Sequence, residues 1–108
     1  MLAREQALEK IGVGGFTELM LVSADGDLDR ARDLLNYGAV VNTQDDNGGT
    51  ALMYAAKNGH LQVVQLLLES GADARLKATK GGDALSFALS AGHTELAALL
   101  RSRISKNK

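Results

Sequence analysis

The chain has 108 residues, a single domain's worth, with 45% apolar residues, 23% charged residues and a net charge of −1, which disfavours general nucleic-acid affinity driven by phosphate neutralisation. Cysteine is absent, which removes disulfides and thiolate metal sites, and no apolar run approaches the roughly 20 residues of a membrane-spanning helix. Tryptophan and proline are absent too, and Phe and Tyr number two each, so a core has to be built from Leu, Val and Ala.

The first dozen residues place Leu2, Ala7, Leu8 and Ile11 at helical spacing, a short amphipathic helix. It reads as a lid on the structure that follows, or alternatively as a linker from an upstream domain. Arg4, Glu5, Glu9 and Lys10 interrupt it, so it is no apolar signal segment. Gly12-Val13-Gly14-Gly15 faintly resembles a phosphate loop, but the third glycine of that fingerprint would fall on Thr17 and no strand precedes it. It is read as a flexible entry.

Helices are then expected near Thr17–Ala24 and Asp27–Tyr37, followed by an aperiodic stretch, Val41–Gly49, that reverses at Asn47-Gly48, two residues tolerant of positive φ. The middle of the chain repeats this order most clearly. Thr50 is an N-cap; Leu52, Ala55 and Ala56 share a helix face; Asn58-Gly59 stops the helix, since glycine accepts the left-handed conformation of a helix end. A second helix begins around His60 or Leu61, with a broad stripe of Leu61, Val63, Val64, Leu66, Leu67 and Leu68, and stops at Gly71. Ala74–Gly82 is again aperiodic. Two more helices follow, near Ala84–Ala91 and Thr94–Arg103, before a polar, basic tail.

The spacing is constant. Gly26, Gly59 and Gly92 stand 33 residues apart, as do Thr17, Thr50 and Asp83, and Leu34, Leu67 and Leu100. A local pattern repeated at a fixed period describes a stack of one small unit, none able to bury its apolar face alone. The units span 13–44, 45–77 and 78–104, after an N-terminal piece 1–12 and before a tail 105–108.

These residues resemble the ankyrin repeat. The match is fullest from Asp46 to Asp73, through Thr50-Ala51-Leu52-Met53, Asn58-Gly59-His60 and Gly71-Ala72-Asp73, and it covers roughly residues 13 to 103. The resemblance implies an all-α solenoid of stacked helix-turn-helix units joined by β-hairpin-like loops. The family's usual Thr-Pro-Leu-His is here Thr17-Glu18-Leu19-Met20, Thr50-Ala51-Leu52-Met53 and Asp83-Ala84-Leu85-Ser86. The missing Pro and His imply a weaker local network and lower stability than in idealised members.

For function, the resemblance implies recognition of another protein, as an adaptor or an inhibitor, with no catalysis, cofactor, metal or small-molecule substrate. The partner would lie in a concave groove made by the loop tips and the first helices. Carried over residue by residue, the leading positions are Phe16, Asp25, Gln44, Asp46, Asn47, Lys57, Asn58, Lys77, Lys80 and Ser90, with Val13, Gly14, Ala24, Gly49, Thr79, Gly82 and Ala91 beside them. A rival role is an architectural or docking segment of a longer chain. A weaker one is nucleic-acid binding through Arg101, Arg103, Lys106 and Lys108, which a solvated helix end also explains. No membrane association is expected, and a cytoplasmic location is.

Candidate chemistry is thin. His60 and His93 hold equivalent places in adjacent units, where helices pack about 8–10 Å apart, too far for one zinc ion with ligands at about 2 Å. They are expected to bond loop backbone beside the glycines. No nucleophile elbow or metalloprotease motif is present. Tyr54 and Phe87 stand in register with Leu21, and read as core between first helices. Phe16 precedes its cap and is either a partner anchor or packed under the N-terminal helix. Asp45 and Asp46 on one loop, against Arg75, Lys77 and Lys80 on the next, describe either a solvated mixture or a polar row. That row would fit a partner of opposite polarity or weak head-to-tail self-association.

Overall fold

A computed structural model describes residues 13–106. The lid or linker expected at 1–12 lies outside the described residues, as do the last two positions of the tail. Six α-helices follow a single 3-10 turn at Val13–Gly15: α1 (Glu18–Asp25), α2 (Leu28–Asn36), α3 (Ala51–Asn58), α4 (Leu61–Glu69), α5 (Ala84–Ser90) and α6 (Thr94–Lys106). No strand occurs among the described residues.

Each first helix starts on a side-chain cap. Thr17 Oγ1 accepts the Met20 N–H at 3.2 Å, Thr50 Oγ1 the Met53 N–H at 3.2 Å, and Asp83 Oδ1 the Ser86 N–H at 2.9 Å. The residues standing where the family writes His return the favour in two of the three units. Met20 Sδ accepts the Thr17 N–H at 3.4 Å, and Ser86 Oγ accepts the Asp83 N–H at 2.8 Å. The local network expected to be lost is thus rebuilt in part from sulfur and hydroxyl.

Gly26 and Gly59 end α1 and α3 at φ 76° and 79°, a left-handed conformation that costs any side chain about 1–2 kcal/mol. The chain reverses there, so α2 and α4 run antiparallel to their partners. The last helix differs from the sequence reading. Its expected end was near Arg103, yet α6 continues to Lys106, because neither Ser105 nor Lys106 breaks a helix.

The helices form two layers. In the inner one, α1 packs on α3 and α3 on α5; in the outer one, α2 packs on α4. The inner contact is made of small residues, with Ala51, Ala55, Ala56, Ala84 and Ala88 all buried, which lets helices approach closely. The outer helices contribute Val63, Val64 and Leu67 from α4 and Leu96 and Leu100 from α6. Leu34, Leu67 and Leu100, one per unit, are all buried, as their constant spacing requires.

The loops are tight turns that stop short of a ladder. Asp45 N–H donates to Gly49 O at 2.9 Å and Gly48 N–H to Asp45 O at 2.8 Å; Ala78 and Gly82, and Gly81 and Ala78, repeat this at 2.7 and 2.8 Å. Neighbouring tips are tied by Asp46 N–H to Gly14 O at 2.7 Å and Thr79 N–H to Asn47 O at 2.9 Å. A row of tips therefore runs alongside the inner helices, and the ledge between them is where the groove implied by the resemblance would lie.

Candidate functional site

The groove wall is built from one aromatic position per unit, but not the one expected throughout. Leu21 is 41% exposed. The ring of the first unit comes instead from Phe16, which meets Tyr54 edge to face with centroids 5.5 Å apart and planes at 86°, a favoured quadrupole arrangement. Phe16, Tyr54 and Phe87 are half-buried against the core. Tyr54 and Phe87 also face the hollow between the second and third units.

Asp45 fixes this wall. Its Oδ1 accepts the Asn47 N–H at 2.9 Å and the Gly49 N–H at 2.8 Å, holding the tip. Its Oδ2 accepts the Tyr54 hydroxyl in a short hydrogen bond. Burial, and then the Asp45 carboxylate, push the Tyr54 hydroxyl up to about 12. Asp45 is thereby withdrawn from the charged row, and Asp46, exposed, is left as the acid of that tip.

One unit on, Ala78 and Phe87 stand in register with Asp45 and Tyr54, and both partners of that hydrogen bond are gone. A notch of about 150 Å³ opens there, lined by Asn47, Gly49, Met53, Tyr54, Lys57, Ala78 and Phe87. A larger hollow of about 470 Å³ adjoins it, sharing Asn47, Ala78 and Phe87 and adding Thr79, Lys80 and Gly82.

Several expected partner positions are already engaged within the protein. Gln44 Nε2 donates to Gly48 O at 3.0 Å and Lys77 O at 3.2 Å. Asn58 Nδ2 donates to Ala24 O at 2.8 Å. These two brace the stack. Asp25, Asp46, Asn47, Lys57, Lys77, Lys80 and Ser90 are exposed. Arg75, expected in the basic row, reaches Ile104 O at 3.4 Å at the end of α6 and so stands apart from Lys77 and Lys80.

The histidines do bond backbone, but across units. His60 Nε2 lies 2.9 Å from Ala24 O and His93 Nε2 3.2 Å from Lys57 O. A carbonyl only accepts, so each Nε2 carries the proton. A Cβ on Gly26 would sit 2.5 Å from the His60 ring and one on Gly59 2.6 Å from the His93 ring. Each glycine both turns the chain and seats the next unit's histidine. Asp27, their counterpart in the first unit, caps its own helix by accepting the Arg30 N–H at 3.2 Å.

The sequence reading missed Asn42. Its Nδ2 donates to Gly71 O at 3.1 Å while its Oδ1 accepts the Asp73 N–H at 2.8 Å. The only available signal was an amide in register with Arg75, which donates to the equivalent carbonyl one unit on. Among the described residues no cluster of His, Cys, Asp or Glu could hold a metal ion, and no helix is long and apolar enough to cross a membrane. A family model of ankyrin repeats matches residues 19–108 in three copies. No curated protein matches the chain.

Proposed function

From the premise that the chain belongs to the ankyrin-repeat family, whose repeats are generally protein-interaction modules without catalysis, we propose that it is an adaptor or inhibitor whose partner lies in the groove at the second and third units. The observation that carries this reading is the pair of hollows between those units, flanked by exposed Lys57 and Lys80. The ledge is preformed, since Asp45 and Tyr54 hold its wall, so a partner need not order it on binding. Asp46 stands exposed on the tip that opens the second unit and Lys77 and Lys80 stand exposed on the next tip, a charge difference along the row that would steer an encounter and set its orientation.

Affinity capture with the tagged chain as bait, read by mass spectrometry, tests this. Wild type is expected to retain a defined partner that a Lys77→Glu, Lys80→Glu double variant loses and that Gln65→Arg, on the exposed side of α4, keeps. Salt should weaken retention. A partner indifferent to the groove reversal but lost on changing Gln65 would move the interface to the outer helices.

A further inference from the structure

The first aromatic step of the wall shows what the second one lacks. Phe16, Gly49 and Gly82 stand in register, one per unit, and so do Leu21, Tyr54 and Phe87. At the first step, the Phe16 ring leans edge-on against Tyr54 of the next unit. At the second, Gly49 takes the place of that ring and Phe87 is the wall it would lean on. Gly49 cannot supply the ring itself. A Cβ there would stand 3.2 Å from both Asp45 carboxylate oxygens and from the Tyr54 ring. The bond between Asp45 and Tyr54 occupies the room, so a group completing the second step would have to come from outside.

The notch left behind, about 150 Å³, is the size of a dry apolar cavity that holds one benzene ring. Its charged lining residue is Lys57, and that of the adjoining hollow is Lys80; no carboxylate lines either. We propose that the notch between Tyr54 and Phe87 receives one bulky apolar side chain, aromatic by preference, from an acidic segment of a partner protein, and that Lys57 and Lys80 take the flanking carboxylates. Asn47, common to both hollows, offers its amide to the backbone of that segment. This inference rests on the protein-recognition reading and adds to it the chemistry of the partner.

The test is an NMR titration of the full chain with a blocked heptapeptide carrying three acidic residues on each side of a central phenylalanine. Saturable amide shifts are expected at Gly49, Lys57, Ala78 and Gly82. A serine-centred peptide and a lysine-flanked peptide should bind at least about tenfold more weakly. Ala78→Leu, which fills the notch, and Lys57→Glu, at an exposed position, should each cost about tenfold, while Gln65→Arg, on the exposed side of α4, should cost little. Melting curves confirm that the variants stay folded. Equal binding of all three peptides, or binding unaffected by both notch variants, overturns the proposal. So does the absence of saturable shifts. Saturable shifts confined to residues around Asp25, sparing Gly49, Lys57, Ala78 and Gly82, also overturn it, while leaving groove recognition of a protein intact. Failure of the broader reading shows separately, as bait capture indifferent to the groove.

Discussion

The joint between the first and second units and the joint between the second and third share one backbone plan, yet they are fastened differently. At the first, Asn42 grips Gly71 and Asp73, Gln44 spans Gly48 and Lys77, and Asn58 and His60 converge on Ala24 O. Phe16 closes the wall against Tyr54. At the second, the register counterparts of Asn42, Gln44, Asn58 and Phe16 are Arg75, Lys77, Ala91 and Gly49. Among the described residues the second joint has Arg75 on Ile104 O at 3.4 Å, His93 on Lys57 O at 3.2 Å and the tip bond of Thr79. The outer helices agree, since α2 packs on α4 but α4 and α6 do not approach to the same degree. The lesson is that a repeat period fixes where units meet, while single side chains decide how firmly. Side-chain amides close the first joint, Asn42 by both donating and accepting; cations and small residues leave a notch at the second.

The largest expected effect separates joint from turn. Gly59→Ala forces a Cβ to 2.6 Å from the His93 ring on top of left-handed strain, and should cost about 3 kcal/mol. Gly92→Ala has the same strain at φ 82° with no atom within 4 Å and should cost about 1 kcal/mol. Equal losses in chemical denaturation would deny that His93 is seated on Gly59. Next, Asn42→Ala should lose about 1–2 kcal/mol and Arg75→Ala less than about 1 kcal/mol, sharpening the contrast between joints; the reverse order in urea melts would break it.

The firmer joint also carries a defect. Ser23 is fully buried, and its Oγ finds no hydrogen-bond partner among the described residues; Ala56 fills the register place one unit on. Ser23→Ala should therefore raise stability by about 1 kcal/mol, seen as a higher melting temperature. A lower one would show that the hydroxyl is satisfied.

The smallest effect is a pH dependence. Tyr54, pushed up to about 12, keeps its proton in the fold where the unfolded chain loses it near 10. Its contribution to stability is full below about pH 10 and is lost as pH rises through about 12. In a Tyr37→Phe background, absorbance at 295 nm follows Tyr54 alone, as the chain has two tyrosines. A midpoint near 10 would remove Asp45 from its place on the wall.

Much of the fold was legible in the chain itself. The caps at Thr17, Thr50 and Asp83, the turns at Gly26 and Gly59 and the leucines at 34, 67 and 100 act within a few residues or recur at a constant step, so local propensity and period suffice to find them. The candidate site was legible only as a region. The ten positions expected there are a family's average groove. Among them Gln44 and Asn58 turned out to brace neighbouring units, while Asn42, which no local rule singles out, does the same.

What the sequence determined alone is the unit, its period and its helix ends, because these depend on backbone conformation and on apolar spacing within one copy. Tertiary structure decided which joint is sealed and which is notched, whether Phe16 or Leu21 makes the wall, and that Asp45 is spent on Tyr54. Those outcomes turn on pairs of atoms a few ångströms apart in space but separated in sequence by nine residues, for Asp45 and Tyr54, or by about a repeat length, for Asn42 and Gly71, and nothing in either local stretch encodes that distance.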